Sequence, residues 1–336
     1  MSSHRCVRNI SRIGLGFVGD HSCSNMISYT RMAEQLGYES VWVSEDLGFR
    51  DAIAPLASLA MSTERIKLAT GILPIYYRNP ALVAMTIATL DEISEKRIIL
   101  GLGSGVRSYV ERQGIEFREP LIAIEEYVEI VRGLLAGESI TYRGQVHNIT
   151  ETRLSFAPLR RDIPVYVAAR GPKMFQMAGR IANGALMSDG FCSASYVAWA
   201  LENIEMGVEV ADRCLEDVDL ASFVILSVSA DHDVAKERAK PTVLSLLSEG
   251  VLGPHLRTMG LSSENVIPIR QTWLRGNRRE AEEKVSDTLI DACAIYGTPD
   301  ECAQKMKRFR DAGVNLPIII PVETDMRETI ELARDW

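Results

Sequence analysis

The sequence lacks the closely spaced cysteines and histidines on which zinc and redox-dithiol sites depend. Its 336 residues include six cysteines and five histidines, with no C-x-x-C or H-x-x-x-H pattern among them. No stretch reaches the ~20 apolar residues of a membrane-spanning helix, and the first residues contain no apolar signal-peptide core. We therefore expect no metal site and no membrane association. Ordinary thiols in a reducing compartment predict a cytoplasmic protein.

The chain also has fewer basic than acidic side chains. The chain has 37 lysines and arginines against 45 aspartates and glutamates, a formal net charge of -8. Such a surface repels nucleic acid and anionic membranes, so neither is expected as a partner. An anionic small molecule would have to be held by basic side chains and backbone amides that gather locally.

Several familiar enzyme motifs are missing as well. There is no G-x-S-x-G sequence for a serine nucleophile, no Walker A motif, and no G-x-G-x-x-G after the first predicted strand. Hydrophobic residues nevertheless make up 46% of the chain and charged residues 24%, the balance of a globular protein with a sizeable core.

Short apolar runs alternate with amphipathic helical segments along the whole chain. With no Pro/Ser-rich linker, this order predicts a single α/β domain over residues 1–336, a (β/α)8 TIM barrel with insertion segments at about 138–160 and 233–291. A doubly wound open sheet is the alternative. The first insertion contains a predicted hairpin around Gly144. The predicted barrel strands are Ile13–Phe17, Ser40–Ser44, Ile66–Gly71, Arg97–Gly103, Pro164–Ala168, Ala185–Ser188, Leu220–Ser229 and Pro317–Val322.

Chemistry in such a barrel belongs to the loops that follow the strands. Glu45 and Asp46 follow the second strand and are candidate catalytic carboxylates, although a pair at a helix start would look the same. Glycines after the third and fourth strands could let a ligand approach the backbone, or could simply form turns. After the fifth strand, Arg170, Lys173 and the amides of a helix N-terminus could bind an anion, or could be a solvated helix end.

Read together, these segments resemble the bacterial-luciferase-like superfamily of flavin- and deazaflavin-dependent oxidoreductases. The likeness runs in order along nearly the whole chain, and its P-V-Y-V-A-A-R-G-P-K stretch most resembles coenzyme F420-dependent methylenetetrahydromethanopterin reductases. The resemblance implies a barrel fold and a deazaflavin ring resting on a bulge with a cis peptide at Gly71-Ile72. The cofactor-binding residues it implies are Thr70, Gly71, Ile72, Gly103, Ser104, Gly105, Ala168, Ala169, Arg170, Gly171, Pro172 and Lys173.

The resemblance also implies a function. It predicts hydride transfer between C5 of coenzyme F420 and a small substrate, methylene-tetrahydromethanopterin or methylene-tetrahydrofolate, with Glu45 or Asp46 as the catalytic residue. A homodimer or higher homo-oligomer is expected. Three alternatives stay open: a two-component FMN-dependent monooxygenase, a cofactor-binding paralogue without turnover, and a pterin or folate reductase that uses NADH without flavin.

Two positions depart from the family pattern. The reductases carry a glutamate near the end of the first strand, where this chain has Gly16, and an acidic residue directly after the glycine loop, where it has Val106. The residues that the resemblance assigns to the cofactor therefore match the family pattern more fully than the acidic residues around the substrate do.

Overall fold

The computed structural model of the protein describes residues 12–18, 21–187, 191–248, 254–322 and 326–336. Within these residues, eight parallel strands close into a barrel in the order β1-β2-β3-β5-β8-β9-β10-β12, and β12 pairs again with β1. This confirms the predicted (β/α)8 barrel. The strands are β1 (Gly14–Phe17), β2 (Ser40–Val43), β3 (Lys67–Thr70), β4 (Leu73–Pro74), β5 (Ile98–Gly103), β6 (Ile140–Arg143), β7 (Asn148–Thr152), β8 (Val165–Ala169), β9 (Gly184–Met187), β10 (Asp219–Val228), β11 (Ala294–Gly297) and β12 (Leu316–Pro321).

Helices follow the barrel strands and cover their outer faces. Across the described part of the chain, no helix is both long enough and apolar enough to cross a membrane. Short 3-10 turns occupy Leu215–Asp217 and Pro254–Met259. The α-helices are α1 (Cys23–Gln35), α2 (Ile53–Ser62), α3 (Pro80–Ile93), α4 (Arg107–Arg112), α5 (Pro120–Leu135), α6 (Pro172–Ile181), α7 (Ala194–Val210), α8 (His232–Ser248), α9 (Ser263–Leu274), α10 (Arg278–Glu283), α11 (Asp287–Cys293), α12 (Pro299–Asp311) and α13 (Met326–Ala333).

The ends of several helices carry the signals expected from the sequence. Asn79 caps α3 by accepting a hydrogen bond from the Leu82 amide at 2.8 Å, and Pro80 occupies the first turn, where no amide is needed. Thr298 begins α12 with a capping box to Glu301. These local signals place each helix directly after its strand.

The segment 138–160 contains an antiparallel hairpin of β6 and β7. Its turn is held by Glu126 of α5, whose carboxylate accepts hydrogen bonds from three successive backbone amides, those of Gln145, Val146 and His147, at 2.6 to 3.0 Å. Because the charge on Glu126 is satisfied by the turn itself, the hairpin is fixed to the outer layer of helices, away from the strand ends.

The segment 233–291 forms the helices from α8 to α11. It leads into β11, which pairs with residues 225–228 of β10, beyond the stretch where β9 pairs with residues 219–222. Helix α8 packs against β10 and β11, and α9 packs against α8. This segment therefore builds a wall above the carboxyl end of β10.

Side chains that point inward fill the barrel. Trp42 is fully buried, and its ring meets Tyr166 and Phe223 edge to face, with ring centroids 5.3 and 6.4 Å apart. Because this cluster closes the interior, a ligand has to bind above it, at the strand ends. The cluster consists of Trp42, Ala69, Ile99, Tyr166, Leu186, Ala221, Phe223, Leu316 and Ile318.

Candidate active site at the carboxyl ends of the strands

A cavity of about 760 Å³ opens at the carboxyl ends of the barrel strands. Its size lies within the roughly 300–1,000 Å³ of typical small-molecule sites. Strand ends and the loops after them supply one part of its wall, and α4, α6, α8, α9 and the loop between α4 and α5 supply the rest. The lining residues are Phe17, Val18, Ser44, Asp46, Gly71, Ile72, Gly103, Ser104, Gly105, Val106, Arg107, Ser108, Glu111, Phe117, Ala168, Arg170, Gly171, Met174, Phe223, Ile225, Thr242, Ser245, Leu246, Arg270 and Ile320.

The floor of the cavity is apolar and depends on a glycine. A Cβ atom at Gly71 would lie 2.8 Å from the Phe223 ring and 3.1 Å from Cβ of Trp42, so a larger residue does not fit there without a shift. The peptide bond between Gly71 and Ile72 is cis, as the resemblance implies. Phe223 reaches this bulge from β10, on the opposite side of the barrel.

Backbone hydrogen bonds tie the bulge to the neighbouring strand. The Gly71 amide donates to the carbonyl of Val43 at 2.7 Å, and the Glu45 amide donates to the carbonyl of Ile72 at 3.3 Å. Thr70 does not line the cavity. Its hydroxyl donates to the Gly101 carbonyl at 2.7 Å and accepts from the Gly101 amide at 2.8 Å, so it fastens β3 to β5 beneath the floor.

The two candidate catalytic carboxylates occupy different surroundings. Glu45 is buried outside the cavity lining, where it binds Arg78 at 2.9 and 3.1 Å and accepts the Ala52 amide at 3.2 Å. Asp46 lines the cavity. Burial raises the pKa of Asp46. A hydrogen bond with Ser44 opposes part of this rise, and the neighbouring charge of Glu45 adds a smaller contribution that raises the pKa. A carboxyl with a raised pKa beside a cavity suits proton transfer.

The glycine loop after β5 lies on the cavity wall, as expected. Gly103, Ser104 and Gly105 all line it, and Gly105 has φ of +68°, which glycine adopts without strain. A Cβ at Gly103 would approach Ile72 and Ala168 to 3.0–3.1 Å. There is therefore little room for a side chain at position 103, and the backbone of the loop is accessible to a ligand.

The loop after β8 is divided between cavity and core. Ala168, Arg170 and Gly171 line the cavity. Ala169 is buried behind it, Pro172 forms the first turn of α6, and Lys173 is exposed and lies outside the lining. Of the predicted basic pair, the structure brings only Arg170 to the cavity.

The two departures from the family pattern lie in or beside the cavity. A Cβ at Gly16 would meet Ile320 at 3.1 Å and Phe223 at 3.2 Å, so apolar side chains fill the place of the family glutamate. Val106 lines the cavity directly. Both substitutions make this part of the wall less acidic.

Sequence reasoning missed the wall built by the segment 233–291. Thr242, Ser245 and Leu246 of α8 and Arg270 of α9 all line the cavity. Nothing in the sequence distinguishes Arg270 from the other arginines nearby, since its position depends on how these helices pack over β10. Across the described residues, no group of three or more histidine, cysteine or acidic side chains could hold a metal ion.

The comparisons with known proteins agree on one family. A sequence profile described as luciferase-like monooxygenase matches residues 12–316. A 5,10-methylenetetrahydromethanopterin reductase of Archaeoglobus fulgidus is 31% identical over 326 residues, 96% of this chain and 97% of that protein. A reductase of the same name from Methanolobus tindarius is 32% identical over 307 residues, 90% of this chain and 91% of the relative.

Solved structures agree with the sequences. The coenzyme F420-dependent tetrahydromethanopterin reductase of Methanopyrus kandleri superposes with a TM-score of 0.86 at 28% identity, over 96% of this chain and 97% of that one. Since the profile and both relatives extend over most of the chain, the resemblance seen in the sequence is confirmed. The chain belongs to the luciferase-like monooxygenase family.

Proposed function

We propose that this protein is a coenzyme F420-dependent oxidoreductase that reduces a one-carbon methylene group carried by a tetrahydropterin, methylene-tetrahydromethanopterin or methylene-tetrahydrofolate. The observation that carries the proposal is the near full-length likeness to reductases of that name, in sequence and in structure. F420-dependent dehydrogenases are also among the relatives, so the cofactor is supported more broadly than the substrate. The comparisons do not favour the FMN-dependent monooxygenase.

The residues of the cavity fit a deazaflavin. Gly71 and Ile72 of the bulge line the cavity beside Phe223, and Gly71 leaves no room for a side chain, so this apolar part of the floor suits the face of an aromatic ring. Ser104, Gly105 and Arg170 would hold the phosphate-bearing tail through backbone amides and one cation. When bound in its reduced form, this cofactor supplies a hydride from C5.

Asp46 is the carboxyl we assign to catalysis. Its raised pKa keeps a proton on the carboxyl at higher pH than an exposed aspartate would, so it can donate to the substrate atom that gains electron density. Glu45 acts as a positioning residue, because its two oxygens are held by Arg78 and the Ala52 amide. That anchoring fixes the loop that carries Asp46.

Spectroscopy and turnover together test the proposal. Purified protein is titrated separately with coenzyme F420 and with FMN, and then mixed with reduced F420 and either methylene-tetrahydropterin. We expect binding of F420, and oxidation of one reduced F420 for each methyl product. Selective binding of FMN, with oxygen consumption and no response to F420, would instead support the monooxygenase. Binding of F420 without turnover of either pterin would support F420 as the cofactor and contradict the proposed substrate.

A homodimer or higher oligomer remains part of the proposal, as does a cytoplasmic location. The outer face of α3 exposes Leu82 and Met85, and the end of α2 exposes Met61, at 43, 49 and 77% of their side-chain surfaces. Exposed apolar side chains on neighbouring helices favour association with a second copy. We expect sedimentation as a dimer at micromolar concentration, and Met85→Glu to shift it toward the monomer. Strictly monomeric wild-type protein would contradict this.

A further inference from the structure

Arg270 forms no ion pair with any side chain of the described residues. It lies on α9, in the segment 233–291, and lines the cavity. Its Nε atom is buried and makes no hydrogen bond, and no carboxylate of the described residues pairs with it. Arg270 is half-buried, and a buried N–H group without an acceptor is unfavourable, so proteins normally pair or solvate one. By contrast, the guanidinium of Arg78 is held by Glu45 at 2.9 Å.

The position of Arg270 separates it from the residues expected to hold the cofactor. In the ring of strands, β3 and β10 are four places apart in either direction, so they lie on opposite sides. The bulge at Gly71 follows β3, and the glycine loop follows β5, its neighbour. Helix α9 packs on α8, which packs on β10. Arg270 therefore belongs to the wall that faces the bulge.

The surroundings of Arg270 suit an anion. Thr242 and Ser245 of α8 line the same wall and carry hydroxyl groups, whereas the remaining α8 residue of the lining, Leu246, is apolar. A guanidinium with neighbouring hydroxyls recognises a carboxylate or a phosphate through charge-assisted hydrogen bonds. The one acidic side chain of the lining in the strand loops, Asp46, follows β2, on the far side of the barrel from β10.

We propose that Arg270 binds an anionic group, carboxylate or phosphate, on the part of the substrate remote from the reacting carbon. This inference rests on the proposed function, because a ring bound at the bulge leaves the opposite wall to the substrate. Arg270 is then a specificity-determining residue, because it recognises the anionic group and is not required for binding the neutral part of the substrate. It also restricts the substrate to molecules that place a negative charge across the cavity from the reacting carbon.

Anion binding to F420-saturated protein tests the assignment. Inorganic phosphate and acetate are titrated calorimetrically into the wild type, Arg270→Met and Arg270→Lys, with the cofactor site already filled. We expect the better-bound anion to lose affinity by about tenfold or more in Arg270→Met, and by less in Arg270→Lys. The ratio of phosphate to acetate affinity identifies which anion the site prefers. Arg275→Met, at the end of the same helix and outside the cavity, removes an equal charge and should change either affinity less than about twofold.

The affinity for F420, measured on the same variants, separates the possible failures. It should stay within about twofold of the wild type in Arg270→Met if the residue serves the substrate. An equal loss of F420 and anion affinity would assign Arg270 to the cofactor and overturn the inference, as would unchanged anion binding in Arg270→Met or no anion binding by the wild type. If the wild type does not bind F420, the proposed function fails, and the same titrations on cofactor-free protein still test Arg270.

Discussion

The two ends of the barrel treat their charged side chains in opposite ways. At the amino ends of the strands, Arg12 binds Glu39 at 2.6 Å and Asp219 at 2.8 Å, Lys67 adds a second contact to Glu39, and Tyr166 donates to Asp219 at 2.7 Å. At the carboxyl ends, the cavity keeps a carboxyl with a raised pKa and the half-buried Arg270, whose buried Nε atom has no hydrogen-bond partner among the described residues. The cluster around Arg12 has satisfied its charges within the chain and the cavity has not, although Arg310 near Arg12 also keeps buried guanidinium nitrogens without a hydrogen-bond partner among the described residues.

The pKa shifts at the amino ends show the same contrast. Burial alone would raise the pKa of Glu39, but hydrogen bonds from Arg12 and Lys67 lower it below its usual range. Burial alone would lower the pKa of Arg12, and its bonds to Asp219 and Glu39 raise it instead. At Asp46, burial acts without a cation to oppose it. The presence or absence of an oppositely charged partner therefore decides the direction of each pKa shift.

Aromatic rings packed edge to face separate the two ends. Tyr166 reaches the paired cluster through its hydroxyl, Trp42 lies between, and Phe223 forms part of the cavity floor. This dry layer keeps the ionic networks apart, so a change at one end should have little effect at the other. The amino end therefore serves stability and the carboxyl end serves binding, which agrees with the division of labour in TIM barrels.

The largest effect is expected from Asp46→Asn. If Asp46 donates a proton, kcat should fall by about 10²–10⁴-fold, the usual contribution of a general acid. The free energy of unfolding should not fall, because the change removes a carboxylate that burial disfavours. Steady-state kinetics and urea unfolding check the two parts. Asp51→Asn, an exposed carboxylate of the same loop, is the control, and an equal loss of kcat in both variants would remove Asp46 from catalysis.

Arg12→Met should produce the opposite result. It leaves Glu39 and Asp219 without their shared cation in a partly buried cluster, and should lower the free energy of unfolding by about 2–4 kcal/mol. The stability that the lowered pKa of Glu39 contributes is present at neutral pH and lost as pH falls through that pKa, so the difference from wild type should shrink in acid. Activity per folded molecule should be unchanged. A large loss of kcat would show that the two ends are coupled.

Gly16→Glu tests whether the missing family acid can be restored. The new side chain would enter a space within 3.1–3.3 Å of Ile320, Phe223 and Ile318, and would bury a carboxylate without a partner. We expect a loss of about 1–3 kcal/mol in unfolding free energy and no gain in activity. Gly16→Ala should lose less, since it adds only the Cβ atom. A gain in pterin reductase activity would indicate that the floor adapts to the acid.

The barrel could be predicted because its strands are marked locally. Apolar runs bounded by glycine and proline predicted all eight strands to within one residue of their observed ends, with Ser188 of the sixth lying outside the described residues. The rule that strand ends meet at one face then brought Asp46, Gly71 and Ser104 together correctly at the cavity. Short-range pattern and chain order were sufficient for this much.

The remaining part of the site depends on packing that no local pattern records. Phe223 forms part of the floor, yet it lies in a buried parallel strand among several other apolar residues, and nothing in that run singles it out. Arg270 reaches the cavity only because α8 and α9 fold over β10. Adjacent residues such as Glu45 and Asp46 point in different directions, and spacing alone does not indicate which one faces the ligand.

The smallest effect is expected from Glu45→Gln, which removes the single charge next to Asp46. Activity that needs protonated Asp46 should fall as pH rises through the pKa of Asp46, and the charge of Glu45 is one cause that raises this pKa. Removing that charge, and leaving Arg78 without its partner, should move this limb of the pH profile of kcat to lower pH by about one unit or less. Glu111→Gln removes another carboxylate of the cavity wall, one paired with Arg107, and should leave the limb in place. A limb that stays fixed in Glu45→Gln, or moves to higher pH, would mean that Asp46 is not the group whose protonation controls turnover.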